Sequence, residues 1–296
     1  MEFKLISWFK SLIKESRPDG PFEKSYKNGQ LKCKGTYKDE LREGPYESYY
    51  ENGQLESSGD FRADEKVGSW AEYFEDGQPR FKGNYLDGRL DGPQEWFHTN
   101  GQLQEAQSYR ADRKDGPWEF FHANGQLRSR GSFVDGKRNG PFEVFFRDGQ
   151  LRSKGTHDND NRDGPYESCH ENGQLESRGI FAAGKKSGTW ERFHDNGQLE
   201  SRGECIDGRK NGTWETFHPN GQLKSRGNYI EGNPEGPFEI FFENGRIQLR
   251  ENYKNGKKDG LFESYEEDGQ LKSKGNFKNG ALDGPFEIYE DGVLQQ

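Results

Sequence analysis

Apolar side chains in this chain come in short alternating runs. In the stretch from Gly20 to Lys38 they stand at Phe22, Tyr26, Leu31 and Tyr37, with charged or small polar residues between them. Runs of this length, rich in aromatics and bounded by Asn, Asp and Gly, predict β-strands joined by tight turns. The pattern then returns. Glycine recurs every 24 residues from Gly20 through Gly44, Gly68, Gly92 and onward to Gly284, giving eleven full repeats and a shortened twelfth. Counted from that glycine, the repeat reads approximately G-P-aromatic-E-x-aromatic-(aromatic or His)-x-N-G-Q-L-x-S-x-G-x-aromatic-x-D-G-K-x-D.

The ninth and tenth positions are Asn-Gly or Asp-Gly in every full repeat, beginning with Asn28-Gly29 and Asn52-Gly53. That dipeptide accepts two successive positive φ angles, so each repeat is expected to be a β-hairpin closed by a two-residue type I′ turn. The eighth position then faces the eleventh, the seventh the twelfth, the fourth the fifteenth and the third the sixteenth. Trp118 is expected across Gly131, Trp190 across Gly203, Glu23 beside Lys34 and Glu119 beside Arg130. Alternation puts positions 3, 7, 12, 14 and 18 on one face, the better candidate for burial, and positions 4, 6, 11, 13 and 15 on the other. Two strands per repeat give about 9.6 Å per hairpin and on the order of 110 Å in all.

The expected fold is therefore all-β: an elongated, twisted, single-layer antiparallel sheet of about twelve tandem hairpin repeats, each touching mainly its neighbours. Residues 1–19 form an N-terminal amphipathic helix or cap, residues 20–283 the eleven repeats, and residues 284–296 the truncated twelfth. Interruptions mark special regions: Pro79 replaces leucine in the third repeat, the fourth reads "QEAQSY", and the tenth reads "GRIQLREN".

Composition supports a thin core. Only 28% of residues are hydrophobic, yet 14% are aromatic and glycine occurs 40 times. Net charge is −9 with both signs interspersed, which disfavours a nucleic-acid partner. Cys33, Cys169 and Cys205 form neither a close pair nor an even set, so a reducing, cytoplasmic setting is expected.

The first sixteen residues carry neither a signal-peptide pattern nor an apolar run long enough to span a membrane. On a helical wheel Leu5, Ile6, Trp8, Phe9, Leu12 and Ile13 fill a continuous arc of roughly 160°, with lysines and serines opposite. Such a face suits a cap over the first strand, or a membrane surface.

Chemical motifs are sparse. His98, His122, His170, His194 and His218 all occupy the seventh position, but one hairpin spacing is too wide for ligands of a single zinc. These histidines read as substitutes for the Tyr or Phe found there elsewhere. Most glutamates of the fourth position have an expected cationic partner across the hairpin, which favours ion-paired decoration over a catalytic carboxylate pair. "NDNRDG" from Asn159 lacks the terminal glutamate of a calcium loop. No catalytic, metal or cofactor site is expected.

The aromatic-glycine hairpin with "NGQL" and "DGK" resembles the MORN-repeat variant, and more specifically the bacterial YwqK family of antitoxins. It departs from the standard MORN repeat, which is slightly shorter and has a Tyr-x-Gly-x-Trp core. The resemblance implies an extended β-sheet with a binding role. The expected function is a non-enzymatic protein-protein interaction module, most specifically an antitoxin or immunity protein that occludes a toxin. The alternative is a membrane-associated scaffold anchored by its first residues. The candidate contact surface is Phe97, His98, Phe121, His122, His170, Phe193, His194, Phe217 and His218.

Overall fold

A computed structural model describes residues 17–295; the expected N-terminal helix, with its face from Leu5 to Ile13, lies outside them. All regular structure described is β, as expected: 29 strand segments in an antiparallel sheet, paired with segments near them in the chain. Several segments are fragments of one strand, such as Leu41–Arg42 and Gly44–Tyr49, parted only at Glu43. Among the described residues no helix or second sheet covers either face. The chain divides into two compact units, residues up to Lys137 and residues from Arg138 onward, built alike.

The type I′ turn expected at Asn-Gly is not found there. At Asn-Gly only the glycine has positive φ, 88° at Gly29 and 82° at Gly197. Gly29 N–H donates to the Tyr26 carbonyl at 3.0 Å and Tyr26 N–H to the Gln30 carbonyl at 2.8 Å. This is a three-residue loop, a type I turn closed by a glycine bulge. The type I′ turn lies at the other end of the repeat, where two successive residues have positive φ: Ala63 at 50° and Asp64 at 69°, Asp207 at 52° and Gly208 at 82°.

The longer loop shifts the pairing beside it. Ser25 pairs with Leu31, a bulge follows at Lys32, and the expected register resumes at Lys24 with Cys33, Glu23 with Lys34 and Phe22 with Gly35. The seventh position thus meets the eleventh, not the twelfth. Because a bulge places two residues against one, the faces change too. Buried side chains come from positions 3, 5, 14, 16 and 18, for example Trp190, Ser168, Ser153, Glu251 and Phe181. The leucine of position 12 sits instead beside the charged row, as Leu175 does next to Arg178 and Phe193.

Asparagine in the Asn-Gly turn has a different task from left-handed backbone. Asn196 Oδ1 accepts from Gln198 N–H at 2.9 Å, and its Nδ2 donates to the Pro219 carbonyl of the next hairpin at 2.8 Å. The same clamp recurs at Asn52, Asn172 and Asn220. The glutamine that follows lays its amide over the next turn's glycine, Gln174 Oε1 standing where a Cβ on Gly197 would be 2.8 Å away. The phrase Asn-Gly-Gln is therefore an inter-hairpin joint. Asn196→Asp keeps the first bond and loses the second, so it should cost about 1 kcal/mol, read as a lower urea midpoint with faster amide exchange in the following turn.

Aromatic rings build the thin core. Phe181 meets Tyr166 and Trp190 edge-on, at centroid distances of 5.4 and 5.0 Å. Trp190 and Trp214 are 4% and 9% exposed and cluster with Phe181 and Cys205. Trp190 pairs with Gly203 in register as expected, but its ring leans back over Gly179 of the preceding hairpin. Its indole N–H donates to the Ile180 carbonyl at 3.1 Å.

Candidate functional site

Across each type I′ turn, position 18 of one hairpin faces position 23, two residues before the glycine that opens the next repeat. Phe181 pairs with Lys186, Cys205 with Lys210 and His157 with Arg162. These cations fold back over the rings. Arg162 lies 4.9 Å from the Tyr166 centroid and 5.4 Å from Phe181. Lys186 lies 4.1 Å from Trp190, and Lys210 lies 4.6 Å from Trp214 and 5.0 Å from Tyr229. Each such contact is worth about 0.5–1 kcal/mol when exposed. Burial of its stem against the rings pushes the Lys210 ammonium pKa down, as desolvation does to a cation.

The row borders a groove of about 480 Å³ in the second unit, lined by Arg152, Arg162 and Lys186, by Tyr166, Phe181 and Trp190, and by the serine rung Ser168–Ser177. The two serine hydroxyls bond each other at 2.8 Å, and Ser168 also donates to Glu176 at 3.1 Å. Arg192 bridges Glu176 and Glu200, at 3.9 and 3.1 Å. The groove's own carboxylate is thereby neutralised while its cations face outward.

His157 stands in the aromatic column against Phe142, ring centroids 4.3 Å apart. Burial foremost, then the charges of Arg138 and Arg162, hold its pKa below the usual histidine value. A folded pKa below the unfolded one means the unfolded chain takes up the proton first. Stability is therefore full above about pH 6.5 and declines as pH falls below it. His157→Tyr should remove this component, seen as a smaller drop in melting temperature between pH 7.5 and pH 5.

The nine candidate contact residues divide four to the first unit and five to the second. Three of their phenylalanines stand on the charged face under cations of position 15, with Lys82 5.4 Å from the Phe97 ring, Arg178 5.6 Å from Phe193 and Arg202 5.7 Å from Phe217; for Phe121 the corresponding residue is Ala106. The histidines act as the tyrosines of their column do. Tyr50 donates its hydroxyl to the Tyr73 carbonyl at 2.7 Å; His170, His194 and His218 donate Nε2–H to the carbonyls of Phe193, Phe217 and Phe241 at 2.9, 3.0 and 2.9 Å. His98 approaches Phe121 at 3.5 Å, and His122 Nε2 is buried without a partner. Most of the glutamate pairs run between hairpins: Lys34 reaches Glu47 at 2.8 Å, Lys154 reaches Glu167 at 2.8 Å and Arg202 reaches Glu215 at 2.7 Å, while Arg250 meets Glu239 of its own hairpin at 3.6 Å. Where Ala71 and Ser58 interrupt this row, the first unit has a shallow hollow of about 440 Å³.

Burial raises the thiol pKa of both Cys169 and Cys205, away from nucleophilic thiolate character. Among the described residues no three His, Cys, Asp or Glu side chains converge as a metal site would require. Sequence reasoning missed the cation row because it placed the type I′ turn at Asn-Gly and so never set position 18 against position 23. The signal was present in the recurrence of Arg42, Lys66, Lys114, Arg138, Arg162, Lys186, Lys210 and Lys258 at that position.

Comparison with known proteins finds a family described as MORN repeat variant, which matches ten segments: residues 18–39, 42–63, 66–87, 90–111, 114–135, 138–159, 186–204, 210–231, 234–255 and 258–279. No match was found among curated proteins. Similar solved structures include one described as TcdB2-TccC3, 12% identical over 93% of this chain with a TM-score of 0.19, and TcdB2-TccC3-Cdc42, 10% identical over 92% with a TM-score of 0.20. The chain spans 17% of the length of each.

Proposed function

The chain belongs to the MORN repeat variant family, and from that premise we propose that it is a non-enzymatic binding protein whose ligand is another protein. Repeats of this kind often serve protein-protein interaction. The observation that carries the reading is the groove of the second unit, where Arg162 and Lys186 lie over aromatic rings beside a serine rung. Arg, Tyr and Trp, all present in this groove, are the side chains enriched among interface anchors. The finer reading is an antitoxin or immunity protein: a repeated sheet presents a long row of equivalent donors, suited to occluding a toxin's surface without chemistry of its own.

Affinity capture from the native cell, separately in soluble and membrane fractions, tests this. The expected result is one stoichiometric soluble partner that is toxic when expressed alone and tolerated when the two are co-expressed. Binding should weaken in the combined variant Arg162→Gln, Lys186→Gln and Lys210→Gln. The competing surface is the Phe193 and Phe217 row, tested by alanine at both. Recovery with membranes, without a dominant partner and dependent on residues 1–16, would replace this reading with the scaffold.

A further inference from the structure

Three successive members of the cation row, all in the second unit, stand without an ion pair among the described residues; in the first unit Lys114 does so singly, the preceding hairpin carrying Leu90 at the same position. In the first unit Arg42 is held by Asp64 at 2.7 Å and Lys66 by Glu72 at 3.5 Å, and in the second unit Lys258 is held by Glu251. Among the described residues no carboxylate lies within ion-pair distance of Arg162, Lys186 or Lys210, although Glu176 and Glu200 stand nearby, tied to Arg192. These three share one strand position in three consecutive hairpins, so their repeat is about 9.6 Å. Their inner sides are occupied by Tyr166, Trp190 and Trp214. Donors therefore point outward at a regular interval while the ring faces beneath are already covered, which leaves no platform for stacking bases.

We propose that this row recognises an acidic polypeptide segment in polyproline II conformation with a carboxylate at every third residue. This deepens the protein-binding reading above and rests on it. The period selects the conformation. A polyproline II helix advances about 3.1 Å per residue with three residues per turn, so every third side chain lies on one edge, about 9.3 Å from the last. A β-strand repeats its face every second residue, about 6.6 Å apart, or every fourth, about 13 Å, and neither fits the row. Arg162 presents a planar fork that takes a carboxylate in bidentate fashion, whereas the two lysines act as point charges that tolerate small errors of register. The ordered serine rung and the half-buried Tyr166 form the floor against which the ligand's intervening residues rest.

The probe is a fluorescein-labelled peptide of four Glu-Pro-Pro triplets, compared with one of equal charge in which glutamate alternates with proline. Anisotropy at low salt should show the triplet peptide binding at least about tenfold more tightly, with the indole resonances of Trp190 and Trp214 shifting in the unmodified protein. Arg162→Gln, Lys186→Gln and Lys210→Gln together should abolish the difference, while Arg178→Gln with Arg202→Gln on the opposite face should preserve it. Equal affinity for the two peptides, indole signals that do not move, or tighter binding of an oligouridylate would each overturn the proposal. If the captured protein partner still binds the three-cation variant and the peptide does not bind the unmodified chain, this inference falls while the protein-binding reading stands.

Discussion

Gly203→Ala should destabilise the second unit by roughly 3 kcal/mol, as overpacking in a closed site does, lowering its melting temperature by about 10 °C. A Cβ at Gly203 would stand 2.3 Å from Trp214 Cδ2 and 2.4 Å from Cε2. The ring cannot withdraw: Trp214 is 9% exposed, its N–H is tied to the Glu204 carbonyl at 2.9 Å, and Lys210 lies over its other face. The control is Gly208→Ala, where φ is +82° and the nearest atom to a new Cβ is 3.9 Å away. There only backbone strain acts, about 1 kcal/mol. Urea unfolding of both variants, with amide exchange over Leu199–Ile206 and Arg209–Phe217 to localise the damage, separates the two causes. Equal losses would refute the ring-on-glycine account. Exchange is needed because repeat arrays do not always unfold in one step.

The opposite sign is expected at Gln107→Gly, a gain of about 2 kcal/mol. Gln107 is 3% exposed and neither side-chain polar atom has a hydrogen-bond partner; the N–H of its neighbour Trp118 is also buried and unpaired. Unsatisfied buried groups cost about 1–3 kcal/mol each, against about 0.5–1 kcal/mol for glycine's added chain freedom. Gln107 occupies the glycine place onto which other tryptophans lean, and Trp118 is displaced onto its own hairpin's Gly131, where a Cβ would meet it at 2.6 Å. Removing the side chain opens the path back, with the Ser108 carbonyl positioned as Ile180 is for Trp190. A higher urea midpoint and an altered Trp118 fluorescence would agree. In a Trp118→Phe background the part of the gain due to the indole bond should vanish; a gain undiminished there would mean the indole plays no part.

The fourth repeat's "QEAQSY" was legible as an interruption, and the structure gives it content. Gln94, with none of its surface exposed, fills the space over Gly83 that a tryptophan fills in neighbouring hairpins, and Gln107 blocks the next one. Sequence reasoning could see that glycine was missing there. It could not see that the ring needing that glycine belongs to the following hairpin, because the lean of a side chain is set by packing between hairpins and not by pairing within one. The same limit applied to the glutamate row, whose cations were assigned to their own hairpin and, Arg250 with Glu239 excepted, are seen to reach the next one.

By itself the sequence determined the all-β hairpin array, the repeat length, the pairing of positions 3 with 16 and 4 with 15, and the substitution of histidine for tyrosine. All of these follow from periodicity and from turn residues that act over a few neighbours. Tertiary structure alone decided which turn is type I′, where the bulge falls, and therefore which residues share a face. An Asn-Gly pair satisfies either turn locally, and the choice falls to the asparagine amide bonding the next hairpin. That one choice sets position 18 opposite position 23 and lays the cations of Arg162, Lys186 and Lys210 over the rings. The candidate site exists because of contacts between repeats, which no single repeat encodes.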